Sequence, residues 1–274
     1  MELFGNSTPT FPSQKIRIIP YSEYPGELNM AIDYYFSNNV VSNNEPILRF
    51  YGWKPYCLSL GKHQDVNQID FHKLARDGFD IVRRPTGGSA IFHSDELTYS
   101  IVTPKSLIHH KELYLLMHLI IYTTLLKMGY KVSLRAQNES INYLKNGDAT
   151  FVCFNRSAYT EIQYDKKKLV GSAQKIYTDS ILQHGSILIG PAQNKIVDYF
   201  KYNNQVRSRT LRHLSEHSTC LNKINEKQVK ALDVSENIIA DISQSTEINY
   251  KPISIQEIDA AKKYCSDFGL KKLN

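Results

Sequence analysis

The chain has 274 residues, of which 42% are hydrophobic, so it can bury a sizeable core and global disorder is not expected. Its 33 basic and 27 acidic residues give a formal net charge of +6. That excess is too small to indicate nucleic-acid binding, but it favours encounter with an acidic partner. The four cysteines, at positions 57, 153, 220 and 265, fit neither a zinc site nor a disulfide framework. We therefore expect a reducing, cytoplasmic environment, no metal and no membrane span.

Residues 1–14 are polar and are predicted to form a flexible leader without a signal peptide. Leu28, Ile32, Tyr35 and Phe36 then recur at helical spacing, which predicts a helix over residues 28–41. After Pro46 the apolar pattern shortens, which is typical of strands. Five strands are predicted here, in ILRFYGW, YCLSL, FDIVRR, SAIFHS and LTYSIVT.

The second half of the chain opens with a long helix, predicted over residues 107–128, with Gly129 just beyond its end as a C-cap. Strands resume in KVSLRA, TFVCF, TEIQY, KLVGSAQKI and SILQHGSILI. From about residue 193 the pattern becomes helical, and Ser254 followed by Glu257 indicates a capping box for a final helix. Strands and helices are interspersed without regular alternation, so the predicted class is α+β, or mixed α/β, around one extended sheet.

The stretch RRPTGGSAIFHSDELTYS, over residues 83–100, contains the densest group of candidate binding residues. Adjacent glycines allow backbone N–H groups to approach a ligand closely, and neighbouring arginines supply positive charge for a carboxylate or a phosphate. An ordinary hairpin turn with surface arginines is the alternative interpretation. The candidates in this stretch are Arg83, Arg84, Thr86, Gly87, Gly88 and His93.

Three other features could carry chemistry. Lys168 and Gly171 lie in an apolar strand, from which the ammonium could hold a carbonyl oxygen or a phosphate, although a run of three lysines is usually solvated. A histidine before a glycine, as at His184 and Gly185, is more often structural than catalytic. Cys153 ends an apolar stretch, and the polar and basic residues that follow favour its thiolate. The other three cysteines are predicted to be core residues.

Taken together, these motifs resemble those of the lipoate–protein ligase, octanoyltransferase and biotin–protein ligase superfamily. Five segments occur in the family's order and approximate spacing over residues 16–189, namely NMAIDYYF, LRFYGWKPYCLSLGKHQ, RRPTGGSAIFH, KLVGSAQ and LQHGSIL. The resemblance implies a mixed sheet with helices packed on one side. It implies a catalytic domain over residues 15–195 and a helical C-terminal extension of the same domain over residues 196–274.

The resemblance also implies roles for individual residues. The acyl chain would lie in an apolar tunnel beside the double-glycine turn, with Lys168 at the acyl carbonyl or at an adenylate phosphate. The wall or mouth of that tunnel would be formed by Arg83, Arg84, Thr86, Gly87, Gly88, His93, Gly171, Ser172, Ala173, His184 and Gly185.

Within the superfamily, the sequence is most similar to the cysteine-dependent octanoyltransferases of Gram-positive type. Cys153 precedes a strand with Tyr159 and Glu161, where ligases commonly show Asn-Asp. The resemblance implies that Cys153 takes octanoyl, or lipoyl, from acyl carrier protein as a thioester while Lys168 stabilises the oxyanion. A lysine of an acidic lipoyl domain or glycine-cleavage H-protein would then receive the acyl group, with no cofactor.

Three alternatives stay open. The first is an ATP-dependent lipoate–protein ligase that forms lipoyl-AMP and requires ATP and magnesium. The second is an amidotransferase that moves the acyl group from one carrier domain to another. The third is a non-catalytic homologue that only binds acyl chains. Ser89 and Ser94 depart from residues common in the family, which leaves the substrate preference open.

Overall fold

The structure, a computed structural model, describes residues 9–40, 44–136, 160–225 and 228–270. The first half contains, in chain order, β1 (Lys15–Tyr24), α1 (Gly26–Asn39), β2 (Ile47–Trp53), β3 (Cys57–Leu60), α2 (Phe71–Arg76), β4 (Asp80–Arg83), β5 (Ile91–His93), β6 (Glu96–Pro104), α3 (His110–Lys127) and β7 (Ser133–Ala136). The second half contains β8 (Thr160–Tyr164), β9 (Lys167–Lys168), β10 (Val170–Ile176), β11 (Ser180–Leu188), a 3-10 helix (Ala192–Tyr199), α4 (Asn204–His217), α5 (Leu221–Ile224), α6 (Ala231–Ile242), β12 (Glu247–Tyr250), α7 (Ile255–Lys262) and α8 (Cys265–Phe268).

The strands of this part of the chain form one large sheet and two small ones. The large sheet has the order β10-β11-β6-β2-β1-β12, in which β1 runs parallel to both β2 and β12 and the other pairs are antiparallel. The small sheets have the orders β4-β3-β5 and β7-β8-β9. The predicted class, α+β or mixed α/β around one extended sheet, is confirmed.

Helices cover both faces of the large sheet. Adjacent residues of a strand point to opposite faces. Ile18 accordingly packs in a cluster with side chains of α3 and α6, whereas Ile19 packs with Ile32 and Phe36 of α1 and Ala261 of α7. The expectation that the helices pack on one side is therefore wrong, because the apolar residues of β1 occupy both faces and each face must be covered. Among the described residues, no helix is long and apolar enough to cross a membrane.

Several predicted boundaries are confirmed by their local geometry. Gly129 follows α3 with a positive φ of 89°, as a C-cap requires. The capping box forms at α7, where the Glu257 amide donates to Ser254 Oγ over 3.2 Å and Glu257 Oε2 accepts the Ser254 amide over 2.8 Å. The predicted strand TFVCF and residues 1–8 of the predicted leader lie outside the described residues.

The C-terminal segment contains a strand that the sequence does not signal. The extension predicted to be helical over residues 196–274 includes β12, which pairs in parallel with β1 from Lys15 opposite Glu247. Its four residues, EINY, are too few and too polar to stand out, so the long-range pairing decides their conformation. This segment therefore completes the large sheet as well as adding helices.

The ion pair between β1 and α7 predicts acid sensitivity. Arg17 donates to both carboxylate oxygens of Glu257, over 2.5 and 2.8 Å. Burial acts to raise the pKa of Glu257, but the hydrogen bonds from Arg17 and Ser254 lower it to about 2. The stabilisation is therefore complete above about pH 4.5 and is lost as the pH falls toward 2.

We expect Glu257→Gln to remove about 1–2 kcal/mol of that pH-dependent stability, measured as the difference in urea-unfolding free energy between pH 6 and pH 3. Glu247→Gln is the control, because Glu247 forms an exposed pair with Lys15. Equal pH dependence in the wild type and Glu257→Gln would contradict the prediction.

Candidate active site

A cavity of about 150 Å³ lies between the double-glycine turn and strands β6, β10 and β11. Its lining includes the exposed Gly87 and Gly88, which we call the mouth, and the buried Tyr51 and Trp53, which we call the closed end. Ten predicted site residues line it, namely Arg84, Gly87, Gly88, His93, Lys168, Gly171, Ser172, Ala173, His184 and Gly185. Ser89, noted above for its departure from the family, also lines it, and the sequence did not single out the other lining residues, Met30, Tyr51, Trp53, Ser59, Ile91, Thr98 and Ser186.

The side chains of Arg83 and Arg84, which precede the turn, both donate hydrogen bonds to backbone carbonyl oxygens, and only Arg84 lines the cavity. Arg84 is buried and donates to the carbonyl oxygens of Gly87 and Ser89, each over 2.8 Å. Arg83 donates from Nη1 to the carbonyl oxygens of residues 61, 62 and 64, over 2.7–3.2 Å. Arg83 and Thr86, which were predicted to form the wall or the mouth, are not among the residues that line the cavity itself. Their side chains instead fix two loops at the mouth. Arg83 binds the loop of residues 61–64, and Thr86 accepts a hydrogen bond from Arg84 within the double-glycine turn.

Gly61 brings these two loops into direct backbone contact. A Cβ atom at position 61 would overlap the carbonyl oxygen of Gly88, whereas one at position 87 would meet nothing within 4 Å. Gly88 itself has a positive φ of 95°, so the turn has little freedom to move away. The sequence pattern did not identify Gly61, because a single glycine after a strand does not indicate that the backbone of a distant residue, here Gly88, packs against it.

We expect Gly61→Ala to lower the free energy of unfolding by about 1–3 kcal/mol, because the overlapping atom belongs to the backbone. Urea denaturation measures the change. Gly87→Ala is the matched control for stability, with an expected change within about 0.5 kcal/mol. Equal losses in the two variants would show that the contact between positions 61 and 88 is not responsible.

A buried charged cluster lies beneath the closed end. Asp33 Oδ1 accepts hydrogen bonds from Arg49 over 3.0 Å and from Ser100 over 2.7 Å, and its Oδ2 accepts one from Tyr51 over 2.9 Å. Burial acts to raise the pKa of Asp33, but the hydrogen bond from His184 and the charge of Arg49 lower it overall. The carboxylate therefore stays ionised and links α1, which carries it, to side chains of β2, β6 and β11.

His184 connects this cluster to the double-glycine turn. Its Nδ1 lies 3.4 Å from Asp33 Oδ2, and its Nε2 lies 2.7 Å from Thr86 Oγ1. Burial is the main cause of its lowered pKa, so the ring is neutral at pH 7 and has one donor and one acceptor nitrogen. Arg84 Nε also donates to Thr86 Oγ1, over 3.1 Å. His184 thus lines the cavity and also has the structural role that its sequence context favours.

His93 lies at the closed end, against an indole ring. The rings of His93 and Trp53 are stacked, with centroids 3.9 Å apart and planes inclined by 10°. His93 Nδ1 lies 2.7 Å from Glu96 Oε1, which also accepts a hydrogen bond from Thr98 over 2.6 Å. Trp53 Nε1 donates to Thr98 Oγ1 over 2.8 Å, so the two rings are held in place. The closed end is consequently a rigid wall of two stacked rings.

The wall formed by β10 and β11 depends on close packing at Gly185. A Cβ atom at this position would overlap Ser172 Oγ and would lie 2.7 Å from Tyr99 Cε1. Ser172 Oγ is also 2.9 Å from His118 Nε2 and 2.8 Å from the Tyr99 hydroxyl. Burial, together with the charge of Lys168, lowers the pKa of His118 to about 3, so its ring is neutral. Ser172 is therefore fixed on the cavity wall by two buried partners.

Lys168 brings an ammonium group to the cavity. Its Nζ lies 2.9 Å from Glu161 Oε1, and the two side chains are only 8% and 5% exposed. Gln163 Nε2 donates to Glu161 Oε2 over 3.0 Å. The backbone of Lys168 forms a bridge with Ser218, and its carbonyl oxygen accepts the Thr219 amide over 3.0 Å. Lys168 is therefore a fixed, buried cation and not the solvated lysine that its sequence run also allowed.

The structure describes three of the four cysteines. Cys57 and Cys220 are buried and Cys265 is half-buried, and burial is the main cause of the raised pKa of each thiol. Cys57 and Cys220 are therefore core residues as predicted, whereas Cys265 is only partly buried against a core cluster, and the raised pKa keeps each thiol protonated. Cys153, the predicted nucleophile, lies outside the described residues. The part of the chain that the structure describes contains no cluster of three or more potential metal ligands.

Comparison with known proteins identifies the family. Residues 25–243 match the lipoyl protein ligase A/B catalytic domain. The chain belongs to this family. The match extends beyond residue 195, where we predicted that the catalytic domain ends, and includes most of the segment that we treated as an extension.

Relatives support this assignment, and solved structures share the fold. The chain is 31% identical over 255 residues to octanoyltransferase LipM of Carboxydothermus hydrogenoformans, covering 90% of this chain and 93% of the relative. It is 32% identical over 259 residues to octanoyltransferase LipM of Bacillus subtilis, covering 87% and 91%. The fold is similar to that of the bi-partite lipoate protein ligase of Thermoplasma acidophilum, with a TM-score of 0.72, 19% identity and 93% of each chain covered. A lipoate-protein ligase A bound with ATP gives a TM-score of 0.72, 17% identity and coverage of 93% and 95%.

The predicted superfamily is therefore confirmed, and so is the prediction of an octanoyltransferase enzyme. In this member of the lipoyl protein ligase A/B family, the cavity combines a mostly apolar lining and a wall of two stacked rings with a buried cation. That arrangement can hold a short apolar chain and stabilise negative charge on an oxygen near Lys168.

Proposed function

We propose that this protein transfers an octanoyl group, or a lipoyl group, from the thioester of acyl carrier protein to a lysine of a lipoyl-type acceptor domain. The carrying observation is the fixed ammonium of Lys168 in the wall of a cavity whose closed end is formed by Trp53 and His93. In this proposal the tail of the acyl chain packs against those two rings and its carbonyl group lies near Lys168. The two relatives named above are octanoyltransferases, which supports octanoyl as the group transferred.

The proposed first step forms an acyl-enzyme. The thiolate of Cys153 attacks the carbonyl carbon of the donor thioester, a new C–S bond forms, and negative charge develops on the carbonyl oxygen. The Lys168 ammonium stabilises that oxyanion. When the tetrahedral intermediate collapses, the old C–S bond breaks and the carrier leaves as a thiolate that takes a proton.

The proposed second step transfers the acyl group to nitrogen. The unprotonated amine of the acceptor lysine attacks the Cys153 thioester, a C–N bond forms and the C–S bond breaks. The product is an amide, the cysteine returns as a thiolate, and the nitrogen loses one proton to solvent. Because a thioester is converted to an amide, the sequence of steps runs downhill without ATP or a metal.

The partners and the compartment follow from the same proposal. The formal net charge of +6 is complementary to an acidic carrier protein and to an acidic lipoyl domain or H-protein. A reducing cytoplasm keeps the proposed thiol nucleophile from being oxidised. We therefore place the reaction in the cytoplasm.

Intact-mass spectrometry tests the proposed function. The wild-type protein is mixed with octanoyl-carrier protein in the absence of ATP, and we expect a mass gain of about 126 Da, one octanoyl group. Addition of a lipoyl acceptor domain should then move that mass to the acceptor. No gain without ATP, together with formation of lipoyl-AMP from lipoate and ATP, would make the protein a ligase.

Two further outcomes separate the remaining alternatives. Faster transfer from an octanoylated acceptor domain than from octanoyl-carrier protein would indicate a carrier-to-carrier amidotransferase. Binding of the free acid with no transfer from any donor would indicate a non-catalytic homologue.

A further inference from the structure

Glu161 contributes a buried negative charge beside Lys168 that the proposed mechanism does not use. Its carboxylate is 5% exposed and lies 2.9 Å from Lys168 Nζ, yet Glu161 is not among the residues that line the cavity. Its carboxylate therefore contacts a residue of the cavity wall without lining the cavity itself. From that position it can act on a bound acyl group only through Lys168.

We propose that Glu161 is a positioning residue that holds the Lys168 ammonium at the point where the oxyanion forms, and that Gln163 in turn fixes Glu161. This inference rests on the proposed function. Glu161 and Gln163 point to the same side of β8, two residues apart, and Gln163 pairs with Lys168 across the β8–β9 ladder. The three side chains thus form one contact chain on a single small sheet.

A lysine needs such a support because its ammonium lies at the end of four methylene groups with free rotation. The backbone of Lys168 is fixed on the side of Ser218 and Thr219. Glu161 fixes the other end of the side chain by accepting one of the three N–H donors. Donors that are already in place when charge develops stabilise a transition state without reorganisation, and this gives the carboxylate an effect on the rate.

Charge balance gives a second reason for the pair. An unpaired ammonium in a site only 8% exposed would be costly, whereas the Glu161–Lys168 pair is neutral overall. The protein can therefore keep a cation in the cavity wall before any substrate arrives. Glu161→Gln retains the shape of the side chain and removes the charge, which makes it the informative variant.

Steady-state kinetics of octanoyl transfer test the proposal. We expect Glu161→Gln to lower kcat about 10- to 100-fold while KM for octanoyl-carrier protein changes less than about threefold. Glu161→Asp should retain more activity than Glu161→Gln, because it keeps the charge at a longer distance. Glu247→Gln removes an exposed carboxylate that pairs with Lys15 and should leave kcat unchanged. Circular dichroism normalises each rate to the folded fraction, and Glu161→Asp decides the matter if Glu161→Gln does not fold.

A double-mutant comparison distinguishes positioning from a general structural effect. In a Lys168→Met background, followed as single-turnover acyl-enzyme formation, Glu161→Gln should change the rate less than about twofold. An unchanged kcat in Glu161→Gln, or an equal loss with and without Lys168, would overturn the proposal. Absence of any transfer by the wild-type protein would instead overturn the proposed function, so the two failures are distinguishable.

Discussion

Cys153→Ala should gain no octanoyl mass and should transfer octanoyl at least about 10⁴-fold more slowly than the wild type, because it lacks the thiol that forms the proposed covalent intermediate. Cys153 lies 15 residues before Lys168 and eight before Glu161 in the sequence, so the proposed nucleophile and its cation belong to neighbouring segments. Intact-mass spectrometry after mixing with octanoyl-carrier protein measures the adduct, and a lipoyl acceptor domain reports the rate.

Cys265→Ala is the matched control for this experiment. Cys265 is half-buried, whereas Cys57 and Cys220 are buried, so it is the described cysteine most accessible to an acyl donor. Burial raises the pKa of its thiol, which disfavours the thiolate, and the octanoyl adduct should form in this variant as in the wild type. An adduct that persists in Cys153→Ala and disappears in Cys265→Ala would show that Cys265, and not Cys153, is the nucleophile.

Lys168→Met should lower the rate of acyl-enzyme formation about 10²- to 10³-fold, the usual effect of removing one donor from an oxyanion site. Methionine keeps the approximate length of the side chain and removes its charge. The substitution also removes the cation that is paired with the buried carboxylate of Glu161, so the unfolding free energy should fall by several kcal/mol. Rates are therefore compared per folded molecule, and rapid-quench sampling of the octanoyl adduct follows the first step.

The neighbouring Lys167 provides the matched control. Its Nζ donates to the Ser215 carbonyl oxygen at an exposed position, and Lys167 does not line the cavity. Lys167→Met removes the same charge one residue away and should change the rate less than about twofold. Similar losses in the two variants would indicate that the general positive charge of this segment, and not the ammonium in the cavity, is responsible.

Much of the fold follows from local patterns in the sequence. Helix α1 and strand β6 have the periodicity of a half-buried helix and of a strand, and the capping box of α7 is encoded within four residues. Strand β12 could not be predicted in the same way. Its conformation depends on hydrogen bonds to β1, about 230 residues earlier in the chain, and no short window contains that information.

The residues of the candidate site also differ in whether local sequence or distant contacts reveal them. Residues that must be small, or that sit in a dense motif, could be found from the sequence, as Gly87, Gly88 and Gly185 show. Residues that act through distant partners could not. Asp33 on α1 and Arg49 on β2 look like ordinary polar residues until the fold buries them against each other, and Gly61 is unremarkable until Gly88 reaches it.

The pairing of β1 with β12 has a consequence for folding during synthesis on the ribosome. β1 emerges about 230 residues before its outer neighbour, so at roughly 5–20 residues per second its edge stays open for roughly 10–45 s. An open strand edge can recruit another nascent chain, and charged side chains discourage such pairing. Lys15 and Arg17 place two positive charges on this edge, and they meet Glu247 and Glu257 only when synthesis reaches those residues. Before the two ion pairs form, the charges of Lys15 and Arg17 thus disfavour pairing of the open edge of β1 with another chain.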